Sequence, residues 1–101
     1  MFPGLTTRLS EGNISLTTTI APVTDVVRVT STTTTTIVAT IVPPFGGFSG
    51  IIFLQNKSGA SMGMVTTGNI SGTAPITVLN QRMAILVFSK LENKWSVTND
   101  T

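Results

Sequence analysis

The sequence contains no cysteine and no histidine. Together these absences exclude a disulfide scaffold, a Cys/His zinc site, haem attachment and any nucleophilic triad that relies on an imidazole base. Charge is also scarce, at 10% of 101 residues against about 25% in an ordinary soluble domain. Four acids, Glu11, Asp25, Glu92 and Asp100, are scattered and form no acid/base pair along the chain. The six bases, Arg8, Arg28, Lys57, Arg82, Lys90 and Lys94, do not cluster either. The net charge of +2 therefore reflects few acids and not a basic stripe, and nucleic acid is not an expected partner.

Long apolar runs are missing as well. Residues 37–42 and 51–54 fall far short of the ~20 apolar residues that a helix needs to cross a bilayer, so no membrane partner is expected. Residues 1–8 lack a basic segment followed by an apolar one, which points to synthesis in the cytoplasm without a leader. No segment sustains apolar residues at i, i+3, i+4 and i+7, so very little helix is expected.

What the chain does have is apolar and β-branched. Hydrophobic residues make up 41% of it, and the mean hydropathy is +0.39. One domain of this size leaves about a third or more of its unfolded surface exposed. A surface this poor in charge suggests that much of it is covered by partners, hence an obligate homo-oligomer in preference to a free monomer.

The organising stretch is residues 40–54, a buried strand, a rigid corner and a second buried strand. Pro43 and Pro44 fix φ and withhold two backbone donors, so pairing must stop at Val42. Gly46, Gly47 and Gly50 let the chain turn, with Phe45 and Phe48 as anchors for the loop. Before the corner, Val26-Val27-Arg28-Val29-Thr30 reads as a strand and residues 32–36 are five consecutive threonines that disfavour helix. Residues 37–42 are apolar on both faces except Thr40, as in an interior strand covered on both sides.

After the corner, a strand is expected over 50–55, a turn over 56–59, a short element over 60–67 and a turn at 67–69. Strands over 76–79 and 83–89 follow, then a hairpin turn at Lys90-Leu91-Glu92-Asn93 leading into Lys94-Trp95-Ser96-Val97. Residues 1–24 read as an N-terminal arm, with a possible edge strand over 14–20, and residues 25–101 as a β-domain. Short strands punctuated by Gly and Pro predict an all-β fold: a small β-sandwich, jelly roll or barrel-like domain with an extended N-terminal arm.

Asn13-Ile14-Ser15, Asn56-Lys57-Ser58 and Asn69-Ile70-Ser71 match the glycosylation acceptor pattern, but without a secretory route they read as turns. Gly12-Asn13-Ile14-Ser15 recurs as Gly68-Asn69-Ile70-Ser71, either a duplicated turn-into-strand unit or a coincidence in a chain rich in these residues. The Ser58/Lys57 and Ser89/Lys90 neighbours would point to opposite faces of a strand and not toward each other. Residues 46–50 lack the Gly-Lys-Ser/Thr ending and the helix of a phosphate-binding loop. Trp95 reads as a core side chain packed near a hairpin in preference to a sugar platform. No catalytic, cofactor-binding or metal residue is expected, and no enzyme.

The segment order from Asp25 to Val97 resembles a β-rich module of small virion proteins of tailed bacteriophages, the capsid decoration (cement) or fibre proteins. Residues 25–30 look like its opening strand, and residues 37–44 with the following Gly-Phe-Ser-Gly-Ile are similar to its central corner. Thr66-Thr67-Gly68-Asn69-Ile70 resembles its Thr-Gly-Gly-Asn-Ile turn, with Thr67 in place of one glycine. Residues 84–95 resemble a final hairpin ending in Lys-Trp, although an Asp-Gly-Thr type turn is replaced by residues 90–93. The resemblance implies a virion structural protein, made in the host cytoplasm, with the major capsid protein or other virion proteins as partners and a homotrimer as its assembly. It implies a capsid decoration protein first and a tail-fibre or receptor-binding module recognising host surface glycans second.

Overall fold

The computed structural model describes residues 9–31 and 37–99. Among them the chain forms ten strands and no helix, so the domain is all-β, as the β-branched composition and missing helical period require. The strands are β1 Glu11–Ser15, β2 Thr19–Ile20, β3 Val26–Ser31, β4 Ile37–Val38 and β5 Thr40–Ile41. They continue with β6 Gly50–Asn56, β7 Met62–Met64, β8 Ile76–Val78, β9 Met83–Ser89 and β10 Lys94–Asn99.

A five-stranded sheet runs in the order β1-β3-β6-β9-β10, beside a two-stranded sheet β2-β5 and a three-stranded sheet β4-β7-β8. In the large sheet β1, β3 and β6 are parallel, with Glu11 opposite Val26 and Val26 opposite Phe53. Parallel neighbours need a crossover, usually helical; here the crossovers are themselves strands. β2 lies between β1 and β3 in the chain and pairs with β5, while β4, between β3 and β6, pairs with β7. From β6 onward the large sheet is an antiparallel meander through β9 and β10. The parallel pairs separate this topology from the antiparallel jelly roll.

All three sheets feed one core. Val29, Leu54 and Leu86 come from the large sheet, Ile41 from the two-stranded one, and Val38 and Met64 from the three-stranded one. One side is also tied shut: the Trp95 N–H donates to the Asn69 carbonyl (2.8 Å) and the Ser71 N–H to the Trp95 carbonyl (2.7 Å). The Asn99 side-chain amide donates to the Thr77 carbonyl of β8 at 2.6 Å. The free edge of β10 is thereby occupied, which removes a template for unwanted strand pairing.

The stretch expected to be an arm contributes two strands, β1 and β2, to these sheets, and its Leu16 and Ile20 are buried in the shared core. The β-body thus begins near residue 10 and not at 25; residues 1–8 lie outside the described residues, as does the threonine run 32–36. Residues 37–42 are not one strand covered on both sides. Val38 and Ile41 are buried, but Ile37 and Val42 are 45% and 42% exposed. The break falls at Ala39, where the Ala39 and Thr40 N–H groups both turn to the Thr18 carbonyl (2.8 and 3.2 Å). There the chain switches its pairing partner from β7 to β2.

Candidate binding surfaces

The corner of residues 43–48 is built on an aromatic stack. Phe48 packs against Phe88 and Trp95 with ring centroids at 6.3 and 6.0 Å, and Phe88 meets Trp95 at 5.0 Å. Gly50 permits this, since a Cβ there would stand 3.0 Å from the Phe48 ring. Phe45 meets Phe48 edge-on at 5.4 Å but is 65% exposed. Of the two expected anchors, Phe48 is the one packed on the core, and Phe45 stands above it. Between the corner and the β9–β10 turn lies an open cleft of about 430 Å³ lined by Val42, Pro43, Phe45, Phe48, Phe88 and Lys90.

Polar side chains hold this end together from below. The Asn69 amide treats the Ile41 peptide as a strand neighbour would: its Oδ1 accepts from the Ile41 N–H (2.9 Å) and its Nδ2 donates to the Ile41 carbonyl (2.7 Å). The indole N–H of Trp95, fully buried, donates to the same carbonyl at 2.9 Å. Gly68 is required beside Asn69, because a Cβ would come within 2.0 Å of the Ala39 carbonyl oxygen.

Asn56 is a second such staple, fully buried. Its amide donates to the Ala60 and Val78 carbonyls (2.8 and 2.9 Å) and accepts from the Ser58 N–H and hydroxyl (3.1 and 2.6 Å). Two of the three Asn-x-Ser patterns are therefore internal fasteners. Only Asn13, on β1, is an exposed side chain. The two copies of Gly-Asn-Ile-Ser accordingly do different work, one in a strand and one in a loop that clamps Ile41.

The second surface is the outer face of the five-stranded sheet. Strand alternation sends Val27, Val29, Ile52, Leu54, Leu86 and Phe88 inward. It sends Val26, Ile51, Phe53, Met83, Ile85 and Val87 outward, where a solvated face would carry polar groups. These six are neighbours: Val26 lies opposite Phe53, Phe53 opposite Ile85, Ile51 opposite Val87. Ile51 is 51% and Val87 41% exposed.

Residues weighed for chemistry do not converge. Ser58 is engaged with Asn56 and Ala60, and the Lys57 Nζ donates to Gln81 Oε1 at 3.1 Å. Asp25 is paired with Ser10, whose N–H and hydroxyl donate to its Oδ2 at 3.0 and 2.9 Å. These backbone and side-chain hydrogen bonds hold the Asp25 carboxyl below its ordinary value. Among the described residues no three of His, Cys, Asp or Glu gather to hold a metal, and no helix is long and apolar enough to cross a membrane. No family model, curated protein or solved structure matches the chain.

Proposed function

We propose that the protein is a non-enzymatic virion structural protein, a capsid decoration or cement protein that binds the shell of a tailed bacteriophage and stabilises it. The observation that carries this reading is that the domain exposes apolar side chains on two separate surfaces. One is the corner, with Val42, Phe45 and the turn residue Leu91 (93% exposed); the other is the outer face of the large sheet. Phe88 and Val87, adjacent on β9, point to opposite sides of it. A cement protein needs two such contacts, one to the major capsid protein and one to another subunit. Binding only the assembled state stabilises it by mass action. The resemblance of the corner and hairpin to phage virion modules supplies the identity of the shell, and with it the homotrimer.

The test is sedimentation of the purified protein with capsids of the phage that encodes it. The intact protein co-sediments and raises the temperature at which the capsids rupture; Phe45→Ser with Leu91→Ser lowers both effects. Protein that never co-sediments, or that is found only at the tail tip, overturns the reading. Deleting residues 1–8 keeps all ten strands, whereas deleting 1–24 removes β1 and β2, so only the shorter truncation tests an arm that adds to a neighbour.

A receptor-binding module is the second reading, favoured by exposed Phe45 above its cleft, since the face of an exposed aromatic ring stacks on the apolar face of a sugar. Retention on host cells or their surface glycans, lost in Phe45→Ala, would favour it over the cement role.

A further inference from the structure

We infer that the outer face of the five-stranded sheet is a self-association surface, covered by a second copy of this chain. The inference rests on the oligomeric part of the function proposed above, with a face-to-face pair in place of the homotrimer that the resemblance implies, and does not need its virion part. Six apolar side chains from β3, β6 and β9 form one continuous patch there, and none of the six carries charge. Monomeric domains rarely leave so large an apolar area bare, and parallel strands such as β3 and β6 are usually covered on both faces.

The chemistry of the rim selects a copy of the chain over a charged partner. On the β1 side, Glu11 and Arg28 sit on neighbouring strands with opposite signs, two positions apart in register. On the β10 side the flanking residues are Lys94, Ser96 and Thr98, opposite Ser89, Val87 and Ile85. The rim carries both signs, and a second copy can set Glu11 of one chain beside Arg28 or Lys94 of the other. With a net charge of +2, two chains repel each other little. An apolar centre inside a polar rim is also the ordinary anatomy of an interface.

Size agrees. Five strands about 4.8 Å apart and roughly 20 Å long present on the order of 500 Å² in projection, and more as accessible surface. That approaches the roughly 800 Å² per partner of a standard stable interface. Two such twisted sheets pack face to face with their strands within about 30° of each other, side chains interdigitated; Ile51, Ile85 and Val87 are of the β-branched kind that fills such a layer.

Light scattering on the purified protein, with no shell present, tests this. The expected mass is twice the 10.6 kDa of one chain. Val87→Lys, which places an unpaired ammonium in the patch, should raise the dissociation constant by about 100-fold or more, while the Ile51→Thr/Val87→Thr double variant keeps β-branching and weakens association less. Both should retain a β-type circular dichroism spectrum, and Thr77→Lys, at an exposed position of β8 in the separate three-stranded sheet, should leave the mass unchanged. A monomer at every concentration overturns the inference, as does a folded Val87→Lys variant with the wild-type mass. A monomer that binds capsids through this face, with binding lost in Val87→Lys, also overturns it and leaves the cement role standing. An oligomer broken by Val87→Lys that ignores capsids supports the inference and counts against the cement role.

Discussion

The two faces of the five-stranded sheet are made of nearly the same residue types. Along β9, Ala84, Leu86 and Phe88 alternate with Met83, Ile85 and Val87, and composition alone does not say which set is the core. The inward set meets Val38, Ile41, Met62 and Met64 from the small sheets, whereas among the described residues no second sheet packs over the outward set. Burial on this sheet is therefore decided by topology, by which side the strand crossovers fold back on. What differs between the faces is the consequence of losing a methyl group.

The largest contrast is expected between neighbours on β9. Leu86→Ala opens a cavity in the shared core and should cost about 2–5 kcal/mol, measured by denaturant unfolding at low protein concentration. Val87→Ala, on the outer face, should stay within about 1 kcal/mol under the same conditions. Equal losses would mean that the outer face is packed against something within the chain, and the distinction between the faces would fail.

A smaller contrast separates the two Gly-Asn-Ile-Ser copies. Asn69→Ala removes the partner of the buried Ile41 N–H, while the Ile41 carbonyl keeps the Trp95 indole. Leaving that donor unmatched should cost about 1–3 kcal/mol. Asn13→Ala, on the outward side of β1, should change stability by no more than about 0.5 kcal/mol. If the two variants were equally harmful, Asn13 would have to be doing structural work on the outer face that its exposure does not suggest.

Much of the fold is legible from local pattern. The strands at β3, β6, β8 and β9 and the 90–93 turn were expected within a residue or two, because alternation and turn chemistry are written in consecutive residues. Asn93 indeed takes the left-handed conformation (φ 57°) that a tight hairpin turn demands. The parallel pairing was not legible. Glu11 meets Val26, and Val26 meets Phe53, and no short-range signal encodes partners so far apart in the chain. For the same reason residues 1–24 read as an arm: strands as short as β2 show no period, and the stability of β2 comes from Thr40 and Ile41 alongside. The candidate surfaces were half legible. Strands apolar on both faces are visible in the sequence at β6 and β9, but which residues point outward, and that Asn56 and Asn69 are fasteners and not surface turns, depends on contacts made across the fold.

The smallest effect is expected where β1 joins the sheet at its exposed margin. The Ser10 carbonyl accepts from the Val26 N–H (2.9 Å), while the Ser10 N–H and hydroxyl hold the Asp25 carboxylate. These bonds favour the charged form, so the Asp25 pKa is lower in the folded chain than in the unfolded one. A depressed carboxylate contributes stability that is fully present above its unfolded pKa and is lost as pH falls through the folded value. The intact protein should then lose stability below about pH 4 more steeply than Asp25→Asn does. At neutral pH the variant should be slightly the less stable of the two, with the gap closing in acid. Unfolding midpoints measured from pH 7 to pH 2 would show this convergence. Parallel curves would mean that the carboxylate charge adds nothing to the clamp, and that β1 is held by its backbone pairing to β3 alone.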